Sequence, residues 1–214
     1  TTDREGDPLT RRSLFLHALI AVMLGGPLGR VGKAALDRAI ISAYKQAGIT
    51  FDPRTWKRRP PLMSDLVSVL TNDGDPAAAE IAAGLVPYVT GSHRRLFDGH
   101  TTTRPDSHLI VFSLRDLPEE LKAVGTLLTL DAVWRRVSDP VNRRPRLVVV
   151  DEAWLLMRDP EGAKFLLRMA KSARKHWAGL SVVTQDAADL LGSDIGQAII
   201  ANSATQILLR QAPQ

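Results

Sequence analysis

The stretch LVVVDEAW, Leu147 to Trp154, sets two adjacent carboxylates, Asp151 and Glu152, directly after four apolar residues. Such a run reads as a buried strand, and an acidic pair at its end costs free energy unless a cation or hydrogen-bond donors meet it. This is the layout of a nucleoside triphosphatase metal site, in which the strand fixes the carboxylates without a flexible loop. Asp151 would hold Mg2+ through a coordinated water, because Mg2+ keeps part of its hydration shell. Glu152 would polarise the attacking water. A second apolar run, GLSVVTQ at 179–185, ends in Thr184 and Gln185. Gln185 suits a hydrogen bond to that water or to a γ-phosphate, and Thr184 could do the same more weakly. The plain alternative is that Asp-Glu caps the turn after the strand and does nothing else.

Between the two runs, the periodicity predicts a helix from Pro160 to about Trp177. Leu166, Met169, Ala170, Ala173 and Trp177 form its apolar stripe, and Lys164, Arg168, Lys171 and Lys175 fall on the other side. Arg174 lies near the boundary. A solvated outer face accounts for these cations; the sharper reading is an arginine reaching a phosphate bound by a neighbouring subunit. Arg210, after the last apolar run, is a rival to Arg168 and Arg174, and spacing does not rank the three.

A phosphate-cradling G-x-x-x-x-G-K-[ST] segment is absent from the 214 residues. The nearest likeness, PLGRVGKA at 27–34, has Pro27 in place of the first glycine and Ala34 in place of the metal-binding hydroxyl, and no strand precedes it. Gly32-Lys33 therefore reads as a helix start. His93, His100 and His108, with Asp98 and Asp106 nearby, match no compact metal motif. Trp56 with Lys57, Arg58 and Arg59 could grip a nucleic-acid strand, but a basic loop pinned by one aromatic is the favoured reading.

The elements that must position these residues fall into two halves. Residues 1–105 read as an all-α subdomain. A helix capped by Thr10 or Ser13 runs to about Leu24, and one from Gly32 to Ala47 carries Ala35, Leu36, Ala39, Ile40 and Ala43 on one side. A short helix after Ser64 and another from Ala77, broken or kinked at Pro87, complete it. Residues 106–214 alternate apolar strands with helices. Strands are expected at 108–114, 146–150, 179–185 and 205–210, and helices from Asp116 or Leu117 to Val137, from Pro160, and from Asp194 to Asn202. That alternation argues for an α/β fold with a mostly parallel sheet, whose ligands sit at the carboxyl ends of the strands. Asp151, Glu152, Thr184 and Gln185 all fall at such ends.

Composition sets the outer limits. An apolar fraction of 44 % and a charged fraction of 24 % are ordinary for a globular chain and argue against disorder. With no cysteine there is no disulfide, thiolate zinc site or thiol nucleophile. A net charge of +5 permits contact with nucleic acid or anionic lipid without requiring it. The apolar run Leu14–Gly26 is too short to span a bilayer and contains His17. The opening TTDREGDPLTRRS lacks an initiator methionine, so a piece of a longer protein is expected.

The stretches IVFSLRDLPEELKAVGTLLTLDAVWRRV, RLVVVDEAWLLMRDPEGAKFLLRMAKSARKHWAGLSVVTQD and AIIANSATQILLRQAP, together with YVTGSHRRLFDG, resemble the large ATPase of conjugative type IV secretion systems, within the FtsK–HerA group of motor ATPases. The resemblance implies a RecA-like P-loop NTPase core interrupted by the all-α subdomain, here incomplete because the phosphate loop and its strand would precede Thr1. It implies Asp151 and Glu152 as the Walker B pair and Gln185 as the glutamine of the following motif. It further implies ATP and Mg2+, a homo-oligomer such as a hexamer, and docking to secretion-channel proteins at the cytoplasmic face of the inner membrane, with DNA a possible further partner. The expected function is an ATP-driven motor for DNA or protein transfer, inactive in this piece alone. The alternatives are a DNA-pumping coupling protein or HerA-like translocase, and a non-catalytic interaction module.

Overall fold

The computed structural model describes residues 8–102, 107–158, 160–185 and 187–209, and the chain divides into two compact units, Thr1–Val111 and Phe112–Gln214. Every element among the described residues of the first unit is helical. α1 (Pro8–Met23), α2 (Arg30–Gln46), α3 (Met63–Asn72), α4 (Pro76–Val89) and the single turn α5 (Arg94–Phe97) follow one another, with a 3₁₀ turn at Pro53–Thr55. The α2 stripe predicted from spacing, Ala35, Leu36, Ala39, Ile40 and Ala43, is buried, and α2 packs against α1, α3 and α4. Gly48 closes α2 at a φ of +73°, a left-handed conformation that glycine adopts without a Cβ penalty.

Capping differs from expectation in detail. Ser13 does not cap α1 but is buried, and its hydroxyl finds no partner among the described residues. The α3 start is set by Asp65, whose carboxylate accepts the Leu62 N–H at 2.7 Å; the Ser64 N–H instead donates to Asp98 at 3.0 Å. Pro87 neither breaks nor ends α4, which continues to Val89. Asp75 caps that helix by accepting the Ala77 N–H at 2.9 Å, and Arg38 on α2 reaches Asp75 at 2.9 Å and Asp73 at 3.4 Å. The PLGRVGKA likeness is a helix start: Gly29 is the N-cap of α2, and Lys33 lies in its first turn.

The second unit holds α6 (Glu119–Val137), β1 (Arg146–Val150), α7 (Ala153–Arg158), α8 (Pro160–Ser172), a 3₁₀ turn at Ala173–His176, β2 (Ala178–Val182), α9 (Ala187–Leu191) and α10 (Asp194–Ala201). Glu119 and Glu120 open α6, where their charges complement the exposed N–H groups of the first turn. The strands are parallel, with Arg146 opposite Ala178 and Val150 opposite Val182. One sheet face is packed: Val148, Val150, Leu180 and Val182 meet a core of Leu130, Phe165, Leu166, Met169 and Ile199 from α6, α8 and α10. The other face of β1 carries Leu147 and Val149, both exposed.

Two of the four expected strands do not form among the described residues. The 108–114 run is irregular, with Leu109 and Val111 exposed, and 205–209 is not in a strand, with Ile207 and Leu208 exposed. Apolar, β-branched sequence makes a strand only where a neighbour takes up its backbone hydrogen bonds, and the sheet here has one pair. Trp177 also departs from its predicted place on the α8 stripe. The helix stops at Ser172, and Trp177 sits at a left-handed φ of +58° with its side chain exposed. Among the described residues no helix is long and apolar enough to cross a membrane.

Candidate active site

The carboxyl ends of β1 and β2 are held in step beyond their last paired residues. The Val183 N–H donates to the Val150 carbonyl at 2.9 Å, and the Ala153 N–H donates to the Val183 carbonyl at 3.0 Å. These two bonds bring the turn containing Asp151 and Glu152 against the segment containing Thr184 and Gln185. The turn is tight because Glu152 adopts a φ of +48°, uncommon for a residue with a Cβ. Ala153, fully buried, then starts α7, and the Leu155 N–H returns to the Glu152 carbonyl at 2.9 Å.

Each carboxylate has a distinct setting. Asp151 is exposed, and its Oδ1 accepts the Glu152 N–H at 3.0 Å. Glu152 is half-buried and held at both oxygens. The Trp154 indole N–H donates to Oε2 at 2.6 Å, and the Gln185 side-chain amide donates to Oε1. Arg158, one helical turn beyond Trp154, places its guanidinium carbon 5.2 Å from the Trp154 ring centroid.

The predicted site residues thus separate. Asp151, Glu152, Thr184 and Gln185 share one end of the sheet, with Thr184 half-buried and Gln185 exposed. Arg174 belongs to the 3₁₀ turn that leads into the first residue of β2, so it stands at the opposite end of the sheet from Glu152. Five residues of strand at about 3.3 Å each separate the two ends. Arg168 lies 5.4 Å from the Trp134 ring centroid, and Arg210 falls outside the described residues, as does Asp106. The histidines assemble no metal site: His93 packs on the Tyr88 ring at 5.7 Å, and among the described residues no three His, Cys, Asp or Glu side chains cluster to hold an ion. The basic loop at 54–59 is pinned by its aromatic, the Trp56 indole donating to the Thr50 carbonyl at 2.9 Å. Sequence reasoning missed Trp154 and Arg158. The available signal was a tryptophan two residues after a strand-end glutamate, since an indole N–H that is partly buried needs an acceptor.

A parallel strand pair with an acidic pair at its carboxyl end is a common arrangement, so comparison with known proteins decides the family. The model of the TraG P-loop domain matches residues 97–213, more than half of the 214-residue chain. The chain belongs to the TraG P-loop domain family. Over 78 residues this TraG-type chain is 35 % identical to the type IV secretion system protein CagE of Helicobacter pylori, a match covering 36 % of this chain and 8 % of CagE. Its fold is similar to that of VirB4 of Thermoanaerobacter pseudethanolicus, with a TM-score of 0.75 and 26 % identity, covering 92 % of this chain and 55 % of that one. The fold is therefore P-loop NTPase-like, α/β with a parallel sheet. This TraG-type chain spans about half the length of the VirB4 structure and a small part of CagE.

Proposed function

We propose that this chain is part of the catalytic domain of an ATP-hydrolysing motor that energises type IV secretion or conjugative transfer, with residues 106–214 as the RecA-like core bearing Walker B and residues 1–105 as its all-α subdomain. The observation that carries the reading is the fixing of Glu152 at the carboxyl end of β1, beside Asp151 and against Gln185. Membership of the TraG P-loop domain family supports it.

The donor set suits Mg2+ and ATP. No cluster of three metal-ligating side chains occurs among the described residues, which disfavours an ion caged by protein. A hydrated Mg2+ needs only one or two carboxylates plus substrate phosphates, and the exposed Asp151 provides a hard oxygen donor for it. Bound Mg2+-ATP supplies the electrophilic phosphorus and neutralises the charge that develops on transfer. Asp151 holds the hydrated ion. Glu152 orients the attacking water and takes its proton, a role that requires a fixed carboxylate within hydrogen-bond reach. Gln185 and Thr184 hydrogen-bond the water or the terminal phosphate. Arg174, far from Glu152 in its own chain, serves a site on a neighbouring copy, with Arg210 as its alternative. The assembly is a homo-oligomer, such as a hexamer, on the cytoplasmic face of the inner membrane beside the secretion channel, with DNA as a further candidate partner.

The decisive experiment is Glu152→Gln in a full-length protein that also carries a phosphate loop. ATP turnover should fall by about 100-fold or more while nucleotide binding persists, as expected for loss of a general base. Unchanged turnover would leave the acidic pair a turn cap and the chain an interaction module.

A further inference from the structure

We infer that Trp154 is a positioning residue for Glu152, held in turn by Arg158, and that it divides the Glu152 carboxylate into one anchored oxygen and one working oxygen. The inference rests on the reading of Glu152 as the water-activating base.

The geometry behind it is local and specific. A glutamate at a strand end has three side-chain torsions and samples many rotamers unless something holds it. Here one of two holders is the first turn of α7, the other being Gln185 at Oε1. The Trp154 N–H reaches Oε2 at 2.6 Å, a close hydrogen bond. Trp154 is itself half-buried, and Arg158 lies over its ring at 5.2 Å, on the same face of α7 one turn later. A cation over an indole draws electron density from it, which makes its N–H a stronger donor. The chain of support therefore runs from Arg158 through Trp154 to Oε2, all within one helix and the turn that starts it.

Oε1 has a different partner. Gln185 is exposed and sits beyond the end of β2, on an element separate from α7. A base that takes a proton from water needs one oxygen offered to that water and a carboxylate plane that does not swing. Trp154 supplies the second condition. Gln185, on the Oε1 side, is placed to share that oxygen with a water molecule. Were the indole contact only a cap on α7, removing it would weaken folding and leave chemistry intact.

Two measurements separate these cases. The chain has four tryptophans, so ¹⁵N-labelled indoles give four resolvable N–H signals in solution. The Trp154 signal, identified by its loss in Trp154→Phe, should move in Glu152→Gln while those of Trp56, Trp134 and Trp177 stay. In a full-length protein with its phosphate loop, Trp154→Phe keeps the ring and the Arg158 contact but removes the donor. It should lower kcat on the order of 10-fold with the KM for ATP within about twofold, the signature of a lost transition-state alignment. Arg158→Gln should move kcat in the same direction and less far. An indole signal indifferent to Glu152→Gln, or full kcat in Trp154→Phe, overturns the assignment. If Glu152→Gln itself leaves turnover untouched, the ATPase reading fails; if Glu152→Gln is dead and Trp154→Phe is fully active, only the positioning role fails.

Discussion

The Gln185 side-chain amide donates to Oε1 of Glu152, joining the segment after β2 to the turn after β1 across the end of the sheet. Thirty-three residues separate the partners in sequence, and the register of the parallel pair brings them together. If Gln185 orients water against Glu152, Gln185→Ala in a full-length protein should lower ATP turnover by about 100-fold, the lower end of the range for losing a preorganised donor near the reacting atoms. The nucleotide dissociation constant should change little. A parallel loss of binding would assign Gln185 to nucleotide recognition instead.

The 214 residues hold no G-x-x-x-x-G-K-[ST] segment, and backbone N–H groups of that loop are what cradle the phosphates in P-loop enzymes. This chain by itself should show no ATP hydrolysis above background. Millimolar Mg2+-ATP should leave its Tm unmoved, because a ligand stabilises a fold only by binding it. Turnover by the isolated chain, abolished by Glu152→Gln, would count against this.

Packing of the second unit depends on the covered face of its sheet. Leu166 on α8 is fully buried between that face and its neighbouring helices. Leu166→Ala should destabilise the fold by about 2–5 kcal/mol, the range for truncating a fully buried leucine. Denaturant unfolding followed by far-UV circular dichroism would measure it. A change below about 1 kcal/mol would mean that this core is loosely packed.

Acid stability of the first unit follows from its capping aspartates. The Ala77 N–H, and then the Arg38 guanidinium, hold the Asp75 carboxyl below its ordinary range. Arg54, through its side chain and its N–H, does the same to Asp52. A carboxyl whose folded-state pKa is depressed stabilises the fold above its unfolded value of about 3.9, and that contribution disappears as pH falls through the folded value. Stability should therefore decline below about pH 4. Asp75→Asn keeps the N-cap acceptor but cannot titrate, so it should flatten this decline while lowering stability at neutral pH, where the Arg38 pair is lost. Thermal melts at pH 3 to 7 on both proteins would test the sign.

Helical periodicity located α2, α6 and α8 because each buries a stripe whose spacing is visible in one dimension, as with Ala35, Leu36, Ala39, Ile40 and Ala43. The strand-end chemistry was legible for a similar reason: an apolar run must end where polar residues begin, so Asp151 and Glu152 had to lie at an edge. The absence of strands at 108–114 and 205–209 was not legible, because a strand depends on a neighbour that its own residues do not specify. Pro87 misled because its lost i→i−4 hydrogen bond is outweighed by packing that holds the end of α4; Tyr88, just after it, is buried and donates to the Met23 carbonyl at 3.1 Å. The contacts of Trp154 and Arg158 were hidden for a different reason. The Arg158 contact is an i,i+4 pair on α7. The Trp154 bond to Glu152 depends on the sharp turn at Glu152, and no pattern of hydrophobicity encodes a backbone angle.

That angle limits how position 152 can be interrogated. A left-handed backbone repels β-branched side chains, so Glu152→Val or Glu152→Thr would mix conformational strain with any loss of chemistry. Glutamine matches glutamate in shape, and asparagine tolerates the conformation, so clean comparisons at this position are confined to a very short menu of replacements.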